Sequence, residues 1–433
     1  MLGAVEPERA RIWLRASDML PVQIEYARDS TFGDARRSAP LRVTDERDRT
    51  GVIILDDLEP DSRYYYRVLV DGSRDRYLED LEPFRLATAP DPSRPGAFRV
   101  AFGSCARYQE AARQPVWDAV ARSAPDLFIW LGDNIYADSL DPGVLRENYR
   151  QQRSVPEFQQ VGRNVPQLAV WDDHDYGLNN HDRTSPIKEQ ALTAFRENWA
   201  NPAYGREGTP GVFFRYSYAG VDFFFLDCRY HRAPNSEPDG PDKTMLGAVQ
   251  LDWLKAKLAN STAPFKLLVS GSGWTTAKGA GGDSWASFLH ERDALFEYIR
   301  HEKISGVVLL SGDTHVGEVN AIPWSEHGGY DLYDLVSSPL AQPPSQSWVL
   351  RKPEIRLRIP YNERNNFGQI DFELDGSVPR MRYQLVGDNG AKAWTALKLS
   401  ADELVNGVQS WPDKVDPKLD KVPDQLLPKR QRG

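Results

Sequence analysis

From residue 98 onward the chain alternates short apolar runs with amphipathic stretches, and that alternation limits its fold more than any other feature. Apolar runs recur at Phe98–Phe102, Leu127–Leu131, Gln167–Trp171, Phe223–Leu226, Phe265–Val269 and Gly306–Leu310. Between several of them, Pro115–Ser123, Lys188–Trp199, Gly247–Leu258 and Trp285–Arg300 carry apolar residues at helical spacing. Strands alternating with helices predict a layered α/β fold. Solidly apolar strands belong to a sheet covered on both faces.

Residues 1–88 follow a different pattern. Ala10–Leu14, Val22–Tyr26, Gly51–Leu55 and Tyr64–Val70 alternate apolar and polar residues between Asp, Pro and Gly clusters, which predicts half-buried antiparallel strands. The segment Leu58-Glu-Pro-Asp-Ser-Arg-Tyr-Tyr-Tyr-Arg-Val resembles the turn and penultimate strand of a fibronectin type III-like sandwich. The Pro-rich Ala87–Gly96 reads as its end. The expected organisation is a β-sandwich over 1–90, a linker over 91–97 and an α/β unit over 98–395. A C-terminal helix, opened by the capping box Ser400-Ala-Asp-Glu403, and an extended tail complete residues 396–433.

Charge and composition remove several function classes. Lys and Arg number 53 against 62 Asp and Glu, a net charge of −9, so broad nucleic-acid binding is not expected. An acidic chain that handles phosphate needs a local cationic device, and bound metal is one. The longest nearly apolar runs, such as Val221–Cys228, fall far short of the ~20 residues of a membrane-spanning helix. Two cysteines make no disulfide framework. Met1–Val5 lacks a basic stretch leading into an apolar one, so no secretory leader is read there.

The residues that follow each apolar run carry the chemistry. They are Phe102-Gly-Ser-Cys105, Gly132-Asp-Asn-Ile-Tyr136, Trp171-Asp-Asp-His-Asp175 with Asn179, Leu226-Asp-Cys-Arg229, Ser270-Gly-Ser-Gly-Trp274 and Ser311-Gly-Asp-Thr-His315. In open α/β sheets ligands bind outside the carboxyl ends of strands. Taken singly, each has a structural role available: a Gly-Asp turn, a solvated acidic run, a small buried Cys, a satisfied core His. Taken together, these strand ends present ligand-capable residues in chain order, which no core requires.

This order resembles the alkaline phosphatase D (PhoD)-like family of the calcineurin-like metallophosphoesterase superfamily. That family carries Phe-x-Ser-Cys, then Gly-Asp-x-x-Tyr, then Trp-Asp-Asp-His-Asp/Glu with a following Asn, then Ser-Gly-Asp-x-His, and all four are present over residues 98–320. The resemblance implies a four-layer α/β/β/α domain behind a β-sandwich, an iron–calcium cluster, hydrolysis of phosphate esters, and a periplasmic or secreted setting. The wider superfamily's solitary metal-binding His is missing near residues 270–274, where Ser270–Trp274 stands. A purple acid phosphatase-like enzyme is the alternative, opposed by the lack of an Asp-x-His motif. A catalytically silent sandwich-based binding protein is a third reading, opposed by the intact ligand set.

Donor chemistry alone gives a consistent picture. Cys105 thiolate, Tyr136 phenolate and His315 imidazole make a transition-metal site, and the hard phenolate favours Fe3+, with Zn2+ competing. Asp133 can bridge to a second ion, to which Asp173 and Asp313 offer oxygen alone. That suits Ca2+, Mg2+ or Mn2+, among which the family resemblance implies Ca2+. His174 is the candidate to stabilise the phosphoryl group or protonate the leaving oxygen, and Asn179 to contact a phosphoryl oxygen or the second metal. Arg229 is a candidate phosphate contact, or only a counter-ion to Asp227, and the Arg-rich Arg146–Arg153 a candidate clamp. The expected partner is a small phosphorylated substrate, monoester or diester.

Overall fold

The computed structural model describes residues 1–92, 94 and 96–421. Its first 87 residues form two antiparallel sheets. Strands Leu2–Val5, Ala10–Arg15 and Thr50–Leu55 make one, and Arg36–Arg37, Val22–Ala27, Arg63–Val70, Ser73–Arg74 and Phe84–Ala87 the other. Alternate residues turn inward, as in Phe84–Ala87, where Phe84 and Leu86 are buried and Arg85 and Ala87 exposed, because a strand sends successive side chains to opposite faces.

The remainder is built on two larger sheets. The six-stranded one runs in the order Gln167–Val170, Leu127–Leu131, Ala97–Gly103, Asn366–Glu373, Arg380–Gly387, Leu397–Ser400. Its first three strands are parallel and the later pairings antiparallel. The seven-stranded one runs Phe214–Tyr218, Val221–Phe225, Lys266–Val269, Val307–Ser311, Leu332–Val336, Glu318–Ile322, Ile355–Arg356. The sheets meet through aromatic pairs: Phe98 lies 5.2 Å from Tyr218, and Phe372 lies 5.7 Å from Phe265. Helices cover the outer faces. Trp117 and Phe158, from helices Val116–Ser123 and Pro156–Asn164, pack on Phe128 and Trp130 of one sheet. Helix Leu289–His301 sends Phe296 against Trp274 behind the other. Every residue of Leu127–Leu131, Val221–Phe225 and Val307–Ser311 is buried, which explains why their text is apolar apart from Asp222 and Ser311. This is the four-layer α/β/β/α arrangement.

The N-terminal sheets dock on the larger unit by directed bonds. Ala4 N–H donates to the Ala200 carbonyl at 3.0 Å, Trp13 Nε1 to the Glu197 carbonyl at 2.7 Å, and Tyr66 Oη to the Arg163 carbonyl at 2.5 Å. The Arg-rich stretch lies in helix Pro142–Arg153 and serves this junction rather than a clamp. Arg146, paired with Glu197 at 2.8 Å, also donates to the Glu46 carbonyl of the sandwich at 3.4 Å; Arg150 pairs with Asp48 of the sandwich at 2.6 Å; and Arg153 lies 4.0 Å from the Trp199 ring and 5.9 Å from the Trp13 ring of the sandwich.

At the C-terminus the structure differs from expectation. Leu397–Ser400 is a strand hydrogen-bonded to Arg380–Tyr383, so the sheet continues past residue 395. The capping box at Ser400 is made, with Glu403 Oε2 accepting from the Ser400 N–H, but it opens only the 3-10 turn Ala401–Glu403. Of the expected tail, residues 422–433 lie outside the described residues; Trp411–Lys414 and Pro417–Lys421 are 3-10 turns.

Candidate metal centre

Four strand ends converge on one point. Cys105 follows Ala97–Gly103, Asp133 and Tyr136 follow Leu127–Leu131, Asp172–Asp175 follow Gln167–Val170, and Asp313 and His315 follow Val307–Ser311. The turns are tight. Cys105, Asp133, Asp313 and His315 all adopt left-handed backbone, with φ of 64°, 48°, 68° and 55°. Each such residue costs of order 1–3 kcal/mol, and non-glycine strain of this kind gathers at functional sites. Gly312 is required for a different reason: a Cβ there would meet Ser104 Oγ at 2.4 Å.

The donor atoms are close. Cys105 Sγ lies 3.4 Å from Asp133 Oδ2, Tyr136 Oη 3.3 Å from the same oxygen, and Tyr136 Oη 3.2 Å from His315 Nε2. Asp133 is common to three clusters whose ligand atoms lie within 4.8 Å of one another: with Cys105 and His315, with Asp173 and His174, and with Asp172 and Asp313. A fourth joins Asp172, Asp173 and Asp283. Two carboxylate oxygens here, Asp172 Oδ2 and Asp173 Oδ1, are buried without a hydrogen-bond partner among the described residues, although Arg229 Nη2 lies 3.5 Å from the second. Buried oxygens in that state cost free energy that a cation would recover.

Electrostatics point the same way. Burial, then the Asp133 charge, pushes the Cys105 thiol well above its ordinary range. Burial, then Cys105 and Asp133, does the same to the Tyr136 phenol. Burial pushes Asp133 well up, opposed by His174 and reinforced by Asp173 and Asp172. Burial also raises Asp313, against Lys278, and lifts Asp172 to about 7, against Arg229. Two carboxyls are held low: Asp173, because Arg229 and His174 outweigh its burial, and Asp283, because Arg229, Arg232 and Lys278 outweigh its own. The cluster is therefore short of positive charge, and its donors hold protons that a metal would displace. His315 is pushed down to about 4 by burial, then by His174 and Lys278, so its ring is neutral and able to ligate. The donor set fits a thiolate–phenolate–imidazole transition-metal site sharing Asp133 with an oxygen-rich one.

His174 borders this cluster half-buried. Its ring lies 4.2 Å from the Tyr136 ring and its Nδ1 2.5 Å from Asp138 Oδ1. Although burial opposes it, the Asp133 field and the Asp138 hydrogen bond raise its pKa to about 10. Asp175 does structural work, accepting from the Asn134 and Asp172 N–H groups and from Tyr149 Oη.

Two expectations meet a different geometry. Arg229 is fully buried, and its guanidinium contacts Asp172 Oδ1 at 2.5 Å and Asp283 Oδ2 at 2.6 Å. It is placed as a counter-cation to these carboxylates, with no face open to phosphate, while only its backbone N–H meets Asp227. Asn179 is exposed; its neighbour Asn180 donates a backbone N–H to Asp173 Oδ2 at 2.7 Å. Residues the sequence did not single out also take part. Gln342 Nε2 reaches Tyr136 Oη at 2.5 Å and contacts His315 Nε2. Lys278 Nζ pairs with Asp313 Oδ2, and the Arg107 guanidinium lies 5.2 Å from the Tyr136 ring centre. Arg107 lies just beyond the Phe102–Cys105 motif but outside its pattern, and Gln342 and Lys278 belong to no motif.

Comparison with known proteins gives the chain a family and its fold relatives. Residues 100–378 match the family described as PhoD-like phosphatase, and residues 1–78 match its N-terminal domain. Alkaline phosphatase D of Bacillus subtilis (strain 168) is 26% identical over 346 residues, covering 68% of this chain and 58% of that protein. The chain thus spans under two thirds of that relative's length. A solved structure of PhoD superposes with a TM-score of 0.73 at 19% identity, over 97% of this chain and 94% of the other. A purple acid phosphatase from yellow lupin (Lupinus luteus) seeds superposes with a TM-score of 0.65 at 13% identity, over 98% and 76%. These likenesses carry the fold, and the two sequence matches carry the assignment: the chain belongs to the PhoD-like phosphatase family.

Proposed function

We propose that this chain hydrolyses phosphate esters, monoesters and also diesters, at a binuclear metal centre. The observation that carries this reading is the convergence of Cys105, Asp133, Tyr136, Asp173, Asp313 and His315, with Asp133 shared between clusters. Membership of a phosphatase family supports it. Cys105, Tyr136, His315 and Asp133 would hold Fe3+; Asp133, Asp173 and Asp313 would hold a divalent ion, Ca2+ first, with Zn2+, Mn2+ or Mg2+ as alternatives. Such ions supply an acidified water and positive charge for displacement at phosphorus.

The protein's own groups do the rest. His174, with Nδ1 tied to Asp138 and its pKa raised, against burial, to about 10 by the Asp133 charge and the Asp138 hydrogen bond, is the candidate proton carrier. Its Nε2 is the group to hydrogen-bond a phosphoryl oxygen or give a proton to the departing alkoxide. His174→Ala is expected to keep its metals and lose about 10²–10⁴-fold in kcat on an unactivated alkyl phosphate. Full kcat on that substrate would reduce His174 to a supporting role. Arg229 neutralises Asp172 and Asp283, tying the two loops that carry them together.

The test is turnover of p-nitrophenyl phosphate and bis-p-nitrophenyl phosphate, with elemental analysis of the same sample. Iron bound to Tyr136 phenolate should colour the protein by charge transfer, and Tyr136→Phe should bleach it. A colourless, fully active preparation containing only zinc would sink the iron assignment. No turnover of either ester by a metal-replete sample would sink the hydrolase reading.

A further inference from the structure

We propose that Arg107 is the side chain that grips the substrate's phosphoryl group at this centre, and that it favours phosphomonoesters over diesters. The proposal rests on the phosphatase reading above and deepens it to a substrate class. Arg107 stands two residues after Cys105, on a loop fixed by two backbone bonds. Its N–H donates to the Ala341 carbonyl at 2.9 Å, and the Ala106 N–H donates to the Asp133 carbonyl at 3.0 Å. Its guanidinium carbon lies 5.2 Å from the centre of the Tyr136 ring, whose hydroxyl is 3.2 Å from His315 Nε2. The cation is thus one ring away from the candidate metal donors.

What separates Arg107 from its neighbours is that its charge is not spent. Arg229 contacts Asp172 and Asp283, and Arg232 contacts Asp283 at 2.8 Å. Lys278 is paired with Asp313, and His174 with Asp138. Arg107 Nε is buried and has no hydrogen-bond partner among the described residues, while the residue as a whole is only half-buried. A half-buried guanidinium held by its loop, resting near an aromatic ring, with its buried Nε unpaired, is prepared for an acceptor brought by a ligand. Its planar fork matches two oxygens of one phosphoryl group. A monoester offers three non-bridging oxygens and nearly two negative charges near neutral pH; a diester offers two oxygens and one charge. The fork therefore gains more from the monoester.

The experiment uses the metal-replete full chain as wild type, Arg107→Gln and Arg107→Lys. It measures the inhibition constant of inorganic phosphate, KM and kcat for p-nitrophenyl phosphate and for its bis ester, metal content, and the visible spectrum. Arg107→Gln is expected to weaken phosphate inhibition about 10–100-fold, the size of a lost charge-assisted hydrogen bond. KM for the monoester should rise in step, the bis ester should move little, and metal content should hold. Arg107→Lys should recover part of the loss, since it restores charge without the fork. Unchanged phosphate inhibition in Arg107→Gln overturns the proposal. So does a changed metal content or spectrum with phosphate binding intact, which would make Arg107 a support for Tyr136. Equal losses on both esters overturn the monoester preference. Wild type that neither binds phosphate nor turns over either ester overturns the phosphatase reading itself, an outcome distinct from the others.

Discussion

Asp133→Ala is expected to abolish turnover while leaving a folded protein. Asp133 is 1% exposed, and its Oδ2 lies within 3.4 Å of Cys105 Sγ and 3.3 Å of Tyr136 Oη. It also joins the clusters containing Asp173 and Asp313. Removing it takes a negative donor from both halves of the centre. For the metal-free protein the sign is opposite. Burial and the neighbouring Asp173 and Asp172 hold the Asp133 carboxyl well above its ordinary range, so this carboxylate is a burden there. Its loss should leave the chelated form as stable or more stable. Wild type should lose Tm when its metals are chelated, since a ligand at a thousandfold excess over its Kd is worth about 4 kcal/mol. Asp133→Ala should show little such loss, together with depleted metal and a fall in kcat of at least about 10²–10³-fold. Asp313→Ala should follow the same pattern more mildly, because its Oδ2 already has Lys278 as a counter-charge. An Asp133→Ala protein with full metal content and near-native kcat would remove the shared-carboxylate reading.

The strand ends that carry this chemistry were legible because sequence distance there is short. Each motif directly follows a run whose apolar text marks a doubly covered strand, such as Leu127–Leu131 before Asp133. The residues not legible come from loops without periodicity and from far along the chain. Gln342 touches Tyr136 across 206 residues, and Asp283 reaches Arg229 across 54. Nothing local in Leu226-Asp-Cys-Arg229 says that three carboxylates surround that arginine, so a phosphate contact and a buried counter-ion read alike. Helix Pro142–Arg153 misleads for a related reason. Arginine stems bury well along apolar surface, and here the cations knit sandwich to sheet rather than facing a substrate. The strand Leu397–Ser400 was hidden by the capping box that begins at its own last residue.

Cys105→Ala is expected to remove the first metal and nearly all activity, whereas Cys228→Ser should cost little beyond packing. Both thiols are free and buried, but their surroundings differ. Cys105 Sγ faces Asp133, while Cys228 Sγ lies 3.4 Å from Ser270 Oγ, a partner that would also accept a serine hydroxyl. A typical cost for the second change is about 1 kcal/mol. Thiol titration under denaturing, non-reducing conditions after metal removal should return two thiols per chain. A disulfide would return none, would make both variants lose a similar ~2–4 kcal/mol, and would free neither from metal selectively. The pH dependence gives an independent check. With no cation present, burial and Asp133 hold the Cys105 thiol protonated at neutral pH, and burial, Cys105 and Asp133 hold the Tyr136 phenol protonated. Metal must displace those protons, so affinity should climb with pH across the neutral range. Removing the thiol removes one released proton, so the residual affinity of Cys105→Ala should climb less steeply. Identical slopes for wild type and Cys105→Ala would mean that the thiol is not a ligand.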